Sequence, residues 1–253
     1  MANLFDNVAK DFSKYRTGYP KKFYEILESS YGVGLPNQKI LDIATSNGLV
    51  ARDLAAKNCI VTGIDNSCEL INEAKSTGNM GREIEYILGD VTELPFTNEY
   101  FDNVMAVHCW NVLPTLQTSR EVIRVLKKGG KFVVAHFEHF PMKDDVVTQT
   151  KSLVAKHNKG KSTLSSQRLY PDWIDELYHV GFRNIETFTF DTINSMKHEE
   201  WRGRMRTEAE VGGSLSFEEV QKFDKELDCL LKKNYEGQRI KVHQRMFSII
   251  CVK

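Results

Sequence analysis

The chain has 253 residues, of which 41% are hydrophobic and 27% are charged, an ordinary composition for one globular domain with a sizeable core. The 34 Lys and Arg residues balance 34 Asp and Glu residues, whereas nucleic-acid-binding proteins usually carry a basic surplus. No apolar run reaches the roughly 18 residues of a membrane span, and residues 1–10 lack the apolar segment of a secretion signal. We therefore expect a cytoplasmic protein without nucleic-acid or membrane partners.

The cysteine pattern agrees with a reducing compartment. The five cysteines are odd in number and scattered, with no Cys-x-x-Cys pair, which argues against a disulfide framework and against a zinc site.

Apolar β runs alternate with amphipathic helices in the first half of the chain, which predicts a mostly parallel sheet covered on both faces. The predicted elements are strands at 39–44, 59–65, 84–88 and 101–109 and helices at 49–57 and 68–76. Thr118 and Glu121 have the spacing of a capping box that starts a further helix, with Gly129 at its end and a strand at 131–137 after it.

The second half of the chain has a different pattern of predicted elements. Residues 141–170 are polar and predicted to be partly helical with a Gly/Ser/Lys-rich loop, and 171–180 form a helix that ends at Gly181. We expect strands at 184–190 and 245–252, with 194–213 irregular. Ser216 and Glu219 repeat the capping-box spacing. One apolar stripe follows them: Phe217, Val220, Phe223, Leu227 and Leu230.

The segment 39–48 indicates a ligand site. An apolar strand leads into a turn of small residues and directly into a helix, so backbone N–H groups and the positive helix end face the crevice beside the strand. The same pattern also opens folds that bind no cofactor. Asp65 ends the second strand and can accept hydrogen bonds from both hydroxyls of a ribose. Alternatively, Asp65-Asn66-Ser67 caps the next helix.

Two further segments follow in the expected order. After the third strand, Asp90 can accept a hydrogen bond from an adenine amino group and Val91 can offer its backbone N–H. The fourth strand, 100–108, delivers polar residues to the same edge, and 125–134 forms a helix-to-strand turn.

Taken together, residues 39–137 resemble the class I S-adenosylmethionine-dependent methyltransferases. The resemblance implies an α/β fold that is doubly wound and Rossmann-like, with a seven-stranded, mostly parallel sheet, an antiparallel C-terminal strand and a helical cap. It implies one methyltransferase domain over 1–253, with an N-terminal cap segment at 1–38, a cofactor-binding core at 39–140 and substrate-cap insertions and closing strands at 141–253.

The resemblance also implies roles for individual residues. Residues from Ala44 through Ser46 to Gly48 would pack under S-adenosylmethionine, and Asp42 would orient its methionine amino group. The ribose would be held by Asp65, with Asn66 beside it, and the adenine by Asp90 and Val91. The family's turn usually carries three glycines, and here Ala44 and Ser46 stand at the first two positions. These side chains can fit if their φ angles are negative, but they crowd the ligand.

The stretch 5–20 resembles the leading segment of small-molecule methyltransferases. There Tyr15 would lie beside the cofactor and Arg16 would pair with the methionine carboxylate. The alternative is a surface arginine before a Tyr-Pro turn.

The methyl group of a sulfonium is already activated, so alignment of the reactants is the main requirement for transfer. His108 is the candidate base, or else it lines the cofactor pocket. Trp110 follows it toward the substrate side. His136, Glu138 and His139 match no common metal spacing, so no metal is expected.

The segment 200–206 carries the substrate hypothesis. Trp201, Arg202 and Arg206 can bind an anionic or aromatic small molecule, or the arginines of this segment pair with Glu208 and Glu210 instead. Two rival functions stay open: a nicotinamide-dependent oxidoreductase, although its G-x-G-x-x-G is missing, and a non-catalytic binding protein. The predicted state is a monomer or homodimer.

Overall fold

The computed structural model describes residues 8–16, 18–78, 81–158 and 170–253. The strands are β1 (Lys39–Ile43), β2 (Ile60–Asp65), β3 (Ile84–Leu88), β4 (Phe101–Val107), β5 (Leu126–His139), β6 (Arg183–Lys197) and β7 (Arg239–Val252). The helices are α1 (Ala9–Tyr15), α2 (Lys21–Tyr31), α3 (Leu49–Ala56), α4 (Cys68–Ser76), α5 (Thr115–Val125), α6 (Val146–Asn158), α7 (Tyr170–Val180), α8 (His198–Arg206) and α9 (Phe217–Asn234).

The seven strands form one sheet in the order β3-β2-β1-β4-β5-β7-β6. The pairs β1–β2, β1–β4, β2–β3 and β4–β5 are parallel. The last strand runs the other way, because Gly129 N donates to Lys253 O while Phe140 N donates to His243 O. The predicted doubly wound sheet with a reversed C-terminal strand is therefore confirmed. The strand order reverses direction between β1 and β4, which is where open α/β sheets bind ligands.

The elements up to β3 lie within one or two residues of the predicted bounds. The start of α5 is different. This helix begins at Thr115 after Pro114, three residues before the predicted capping box. The hydroxyl of Thr118 donates to Pro114 O, and Glu121 accepts from the backbone of Leu94 instead of capping its own helix. The helix ends at Val125, so Gly129 lies inside β5 and not at the helix end.

The predicted irregular stretch at 194–213 is also wrong. The strand β6 continues to Lys197, and α8 follows directly, opened by Glu200, whose carboxylate accepts from Lys197 N at 2.6 Å. Strand β6 lies at the edge of the sheet and is mostly exposed, so it lacks the apolar pattern from which strands were predicted. The predicted Gly/Ser/Lys-rich loop falls on 159–169, outside the described residues.

Two compact units divide the chain. We call residues 18–136, 166–189 and 247–253 the sheet unit, and residues 1–17, 137–165 and 190–246 the helical unit. The sheet unit has a core that includes Leu41, Ile64 and Val104, and the helical unit has a core that includes Phe223 and Leu227. Within the described part of the chain, no helix is both long and apolar enough to span a membrane.

The helix α9 confirms the second predicted capping box. The hydroxyl of Ser216 accepts from Glu219 N, and the Glu219 carboxylate accepts from Ser216 N. The apolar stripe is confirmed at Phe223 and Leu227, which are buried. It does not include Phe217, which is 79% exposed because it lies at the first turn, ahead of the buried face.

We expect Ser216→Ala to lower the free energy of unfolding by about 1 kcal/mol, because the backbone N–H of Glu219 at the start of α9 loses its partner. Chemical denaturation measures this loss. The control is Phe217→Ser, which changes an exposed side chain and should change stability by less than about 0.5 kcal/mol. A larger loss for Phe217→Ser than for Ser216→Ala would contradict the assignment.

Candidate functional site

The turn after β1 is built around a buried carboxylate. Asp42 is buried, and its Oδ2 accepts a hydrogen bond of 2.6 Å from the hydroxyl of Thr45. The backbone N of Thr45 donates to Ile64 O on the neighbouring strand, which ties the turn to β2. Burial raises the pKa of Asp42 to about 7, with a further contribution from the negative charge of Asp65, while the bond from Thr45 acts in the opposite direction. Asp42 therefore changes charge near neutral pH.

Asp65 connects the ends of the first two strands. Its Oδ2 accepts from Ser46 N at 2.8 Å, and its Oδ1 accepts from Ser67 N at 2.9 Å. The cap of α4 is Ser67, whose hydroxyl accepts from Leu70 N. Capping of α4 is thus performed by another residue, and the Asp65 carboxylate is held at the edge of the sheet. The side chain of Asn66 is exposed beside it.

The turn keeps the backbone of a glycine-rich loop although only the last of the three glycines is present. The φ angles are +51° at Ala44, +55° at Ser46 and +78° at Gly48. The condition of negative φ, under which the side chains of Ala44 and Ser46 would fit, is therefore not met. Because Cβ crowds the carbonyl in this left-handed region, each of the two residues costs about 1 kcal/mol relative to an unstrained backbone.

The glycine that remains is required by packing. A Cβ at Gly48 would lie 2.3 Å from the phenol oxygen of Tyr86, so no other residue fits without movement of Tyr86. The hydroxyl of Ser46 is buried, and among the described residues no group forms a hydrogen bond with it.

Asp90 and Val91 follow β3 at the same edge. The register pairs Asp65 with Leu88, and Gly89 N donates to Asp65 O, so the segment that contains Asp90 starts beside the end of β2. Oδ1 of Asp90 accepts from both the backbone N and the hydroxyl of Thr92, which fixes an exposed carboxylate. The side chain of Val91 is buried in the core of the sheet unit.

His108 follows β4 with a φ of +64° and is half-buried. Its N donates to Ala135 O, and its ring centroid lies 5.6 Å from that of His136. His136 in turn lies 4.8 Å from the ring of Trp173 on α7. Sequence reasoning missed Trp173 and the hydrogen bond from Thr45 to Asp42. Nothing in the sequence indicates that α7 packs beside β5. The three-residue spacing between Asp42 and Thr45 was a signal from which the hydrogen bond between their side chains could have been predicted.

Trp110 does not fit its predicted role in substrate binding. Its side chain is fully buried and packs at 5.2 Å against the ring of Phe132. A ring without accessible surface presents no face to an acceptor, so we leave Trp110 out of the site that we propose below.

The remaining predicted residues lie in the helical unit. The hydroxyl of Tyr15 donates to Glu199, and the guanidinium of Arg16 donates to both the hydroxyl and the carbonyl of Thr207. Trp201 is 1% exposed, and its indole N–H donates to Thr150. The cofactor role of Tyr15 and Arg16 stays a prediction. The ring of Trp201, like that of Trp110, presents no accessible face, so Trp201 is also left out of the site that we propose.

The arginines of α8 are bound to carboxylates. Arg202 contacts Asp224 and Asp228, and Arg206 contacts Asp11 and Asp224. The predicted alternative partner Glu208 belongs to Arg204, at 2.6 Å. Any anionic ligand of Arg202 or Arg206 would have to compete with these carboxylates.

Residues 41–152 match a family model described as a methyltransferase domain. A demethylmenaquinone methyltransferase from Renibacterium salmoninarum is 29% identical over 209 residues, which are 73% of this chain and 86% of that protein. Among solved structures, phosphoethanolamine N-methyltransferase 2 from Haemonchus contortus, in complex with S-adenosyl-L-methionine, is 19% identical with a TM-score of 0.59. The matched region covers 99% of this chain and 56% of that protein's chain. The [4+2]-cyclase SpnF is 15% identical with a TM-score of 0.60, and the matched region covers 99% of this chain and 94% of the cyclase chain.

The fold is that of the Rossmann-like methyltransferases. Together with the matched domain, it indicates a class I S-adenosylmethionine-dependent methyltransferase, and the oxidoreductase hypothesis is dropped. The donor set suits this cofactor. The carboxylate of Asp65 accepts hydrogen bonds, as a ribose diol requires, and Asp42 can supply a negative charge toward an ammonium group. The hydroxyl of Ser46, which has no hydrogen-bond partner in the part of the chain that the structure describes, lies in the same turn.

We expect Ala44→Gly and Ser46→Gly each to raise the free energy of unfolding by about 1 kcal/mol, because glycine adopts positive φ without strain. Urea denaturation measures the gain. The control is Asn58→Gly, at a φ of +67° outside this turn, after α3, where the gain should be only a few tenths because asparagine tolerates this region. Destabilisation by both glycines would show that the turn is not strained.

We expect Asp42→Asn to change how stability depends on pH. The pKa of Asp42 in the folded chain, about 7, lies above its ordinary value of 3.8. The carboxyl group therefore favours folding below pH 4, and this contribution is lost as the pH rises to 7 and above. A shift of about three pKa units makes the loss on the order of 4 kcal/mol. Between pH 5 and pH 8 the wild type should lose more stability than Asp42→Asn in urea denaturation, and equal slopes would contradict the shift.

Proposed function

We propose that the chain transfers a methyl group from S-adenosylmethionine to a small aromatic acceptor that carries an acidic hydroxyl, such as a hydroquinone. The relative from Renibacterium salmoninarum, named for activity on demethylmenaquinone, supports the aromatic part. The balanced charge of the chain supports a small acceptor over a nucleic acid.

The observation that carries the proposal is the position of Asp65. Two backbone amides, from the turn after β1 and from the start of α4, orient its carboxylate at the edge of the sheet. A carboxylate held in this way can bind the two ribose hydroxyls of a nucleoside without reorganisation. Asp90, at the next strand end, would then hold the adenine amino group, and Val91 would offer its N–H.

The bound cofactor supplies an activated methyl group, and the chain supplies alignment. In the proposed arrangement, Asp42 holds the methionine ammonium group and the Ala44–Gly48 turn supports the ligand from below. His108 stands at the end of β4 and, as an imidazole, can take up the proton of an acidic hydroxyl. Positioning alone contributes on the order of 7–11 kcal/mol in favourable model reactions, so no metal is part of the proposal.

A second candidate is a protein that binds S-adenosylmethionine or S-adenosylhomocysteine without methylating an acceptor. Strain at Ala44 and Ser46 favours it, because it shows that this turn has departed from the usual glycines. The likeness in fold to a [4+2]-cyclase is a further reason to measure methyl transfer directly.

We also propose a cytoplasmic location and a monomeric or homodimeric state. The scattered cysteines support a reducing compartment, and gel filtration with light scattering measures the oligomeric state.

The test of the enzyme is transfer of a labelled methyl group from S-adenosylmethionine to a panel of reduced naphthoquinones and benzoquinones, with phosphoethanolamine as the non-aromatic comparison. We expect a methylated hydroquinone, identified by mass spectrometry. Cofactor binding without transfer to any member would favour the second candidate.

We expect Asp65→Ala to weaken the binding of S-adenosylhomocysteine by at least tenfold in isothermal titration, because charge-assisted bonds to the ribose are lost. The matched control is Asp53→Ala, which removes the carboxylate bonded to Tyr24 at 2.8 Å in the same unit and should bind within twofold of wild type. Circular dichroism checks that both variants fold. Unchanged affinity in a folded Asp65→Ala variant would refute the ribose assignment.

A further inference from the structure

The loop 90–98, which we call the adenine loop, is tied to α5 by one side chain. The guanidinium of Arg124 donates from its two terminal nitrogens to Phe96 O at 2.6 Å, to the Asn98 side chain at 3.2 Å and to Leu94 O at 2.9 Å. These three acceptors span five consecutive residues of the loop. Three hydrogen bonds from one planar cation fix a segment that has no strand ladder of its own.

Glu121 completes the attachment one turn earlier on α5. Its Oε2 accepts from Leu94 N at 2.8 Å and from Arg124 at 2.7 Å, and its Oε1 accepts from Arg124 Nε at 2.8 Å. The two-pronged bond to Arg124 lowers the pKa of Glu121 and raises that of Arg124, so both groups are charged at neutral pH. Leu94 is thus bound through both its N–H and its carbonyl.

Apolar contacts hold the other side of the same loop. Leu94 is buried in the core of the sheet unit, and the ring of Phe96 meets that of Phe101 edge-on at 4.9 Å. The chain then continues along the end of α5, where Glu99 N donates to Arg124 O. The loop is therefore attached on its polar and apolar sides from Leu94 onward.

We propose that Glu121 and Arg124 are positioning residues that set the affinity for the adenosine half of the cofactor. They do not reach the ligand themselves. They hold Leu94 and Phe96, and the backbone from there determines where Asp90 and Val91 lie. This inference rests on the proposed binding of adenine at Asp90 and Val91.

Lysine cannot replace Arg124 in this role. An ammonium group is a single point of charge, whereas the three loop acceptors and the Glu121 carboxylate require donors spread over a rigid plane. A variant with Arg124→Lys keeps the charge and loses the geometry, so it separates positioning from electrostatics.

The experiment measures the dissociation constants of S-adenosylmethionine, S-adenosylhomocysteine and 5′-methylthioadenosine for Arg124→Lys and Glu121→Gln by isothermal titration. We expect Arg124→Lys to raise all three dissociation constants by a common factor of about ten, and Glu121→Gln to raise them by a smaller common factor. With an accepted acceptor, KM for S-adenosylmethionine should rise while kcat at saturation stays within twofold. Wild-type affinities in either folded variant, or a fall in kcat without a change in KM, would overturn the proposal.

The matched control is Lys127→Met, which removes a cation three residues further on that binds Asp102 and not the loop. It should bind all three ligands within twofold of wild type. A loss equal to that of Arg124→Lys would overturn the proposal, since the effect would then not depend on the loop.

A double-mutant cycle with Asp90→Ala tests whether Arg124 affects ligand affinity through the adenine loop. If Arg124 acts through the adenine loop, the double variant should bind only slightly more weakly than the worse single variant, because both changes remove the same contact. Fully additive losses would overturn the proposal. If Asp90→Ala alone leaves wild-type affinity, the adenine assignment of the proposed function fails, a result distinct from failure of the Arg124 role.

Discussion

The candidate site depends on one carboxylate that joins two loops. Asp65 lies at the end of β2 and accepts one backbone N–H from the turn after β1 and one from the start of α4. These bonds hold the two loops against each other next to the position, between β1 and β4, where the strand order reverses. A carboxylate oriented by backbone amides needs no rearrangement when it meets hydroxyl groups, so the group that holds the loops together is also the one suited to bind a ribose.

The backbone conformation of the turn beside Asp65 is determined by its contacts with neighbouring segments and not by the intrinsic preferences of its own residues. Ala44 and Ser46 adopt positive φ although neither favours it. The surrounding bonds explain why the turn does not relax: Thr45 is bound to Asp42 and to Ile64 O, and Ser46 N is bound to Asp65. Strain that persists because neighbours over-determine the conformation is typical of functional sites, which supports the proposal that this turn takes part in ligand binding.

Charged residues gave the least reliable sequence predictions, since their partners come from distant parts of the chain. Arg202 and Arg206 are bound to carboxylates on α9 and α1. Glu121 had the spacing of a helix cap, but it binds Leu94 and Arg124 because α5 begins three residues earlier. Spacing along a helix identifies groups that are near each other on that helix, and it contains no information about a loop about 30 residues away that packs against it.

The sequence by itself determined the alternation of strands and helices, and hence the parallel sheet, because apolar periodicity reports directly which faces are buried. It also placed Asp42, Asp65 and Asp90 at strand ends, which parallel strands bring to a common edge. Only the tertiary structure decided the φ angles of the turn, the burial of Trp110, the exposed edge strand β6 and the partners of the arginines. Each of these depends on contacts between segments far apart in the chain, and such contacts have no local signature.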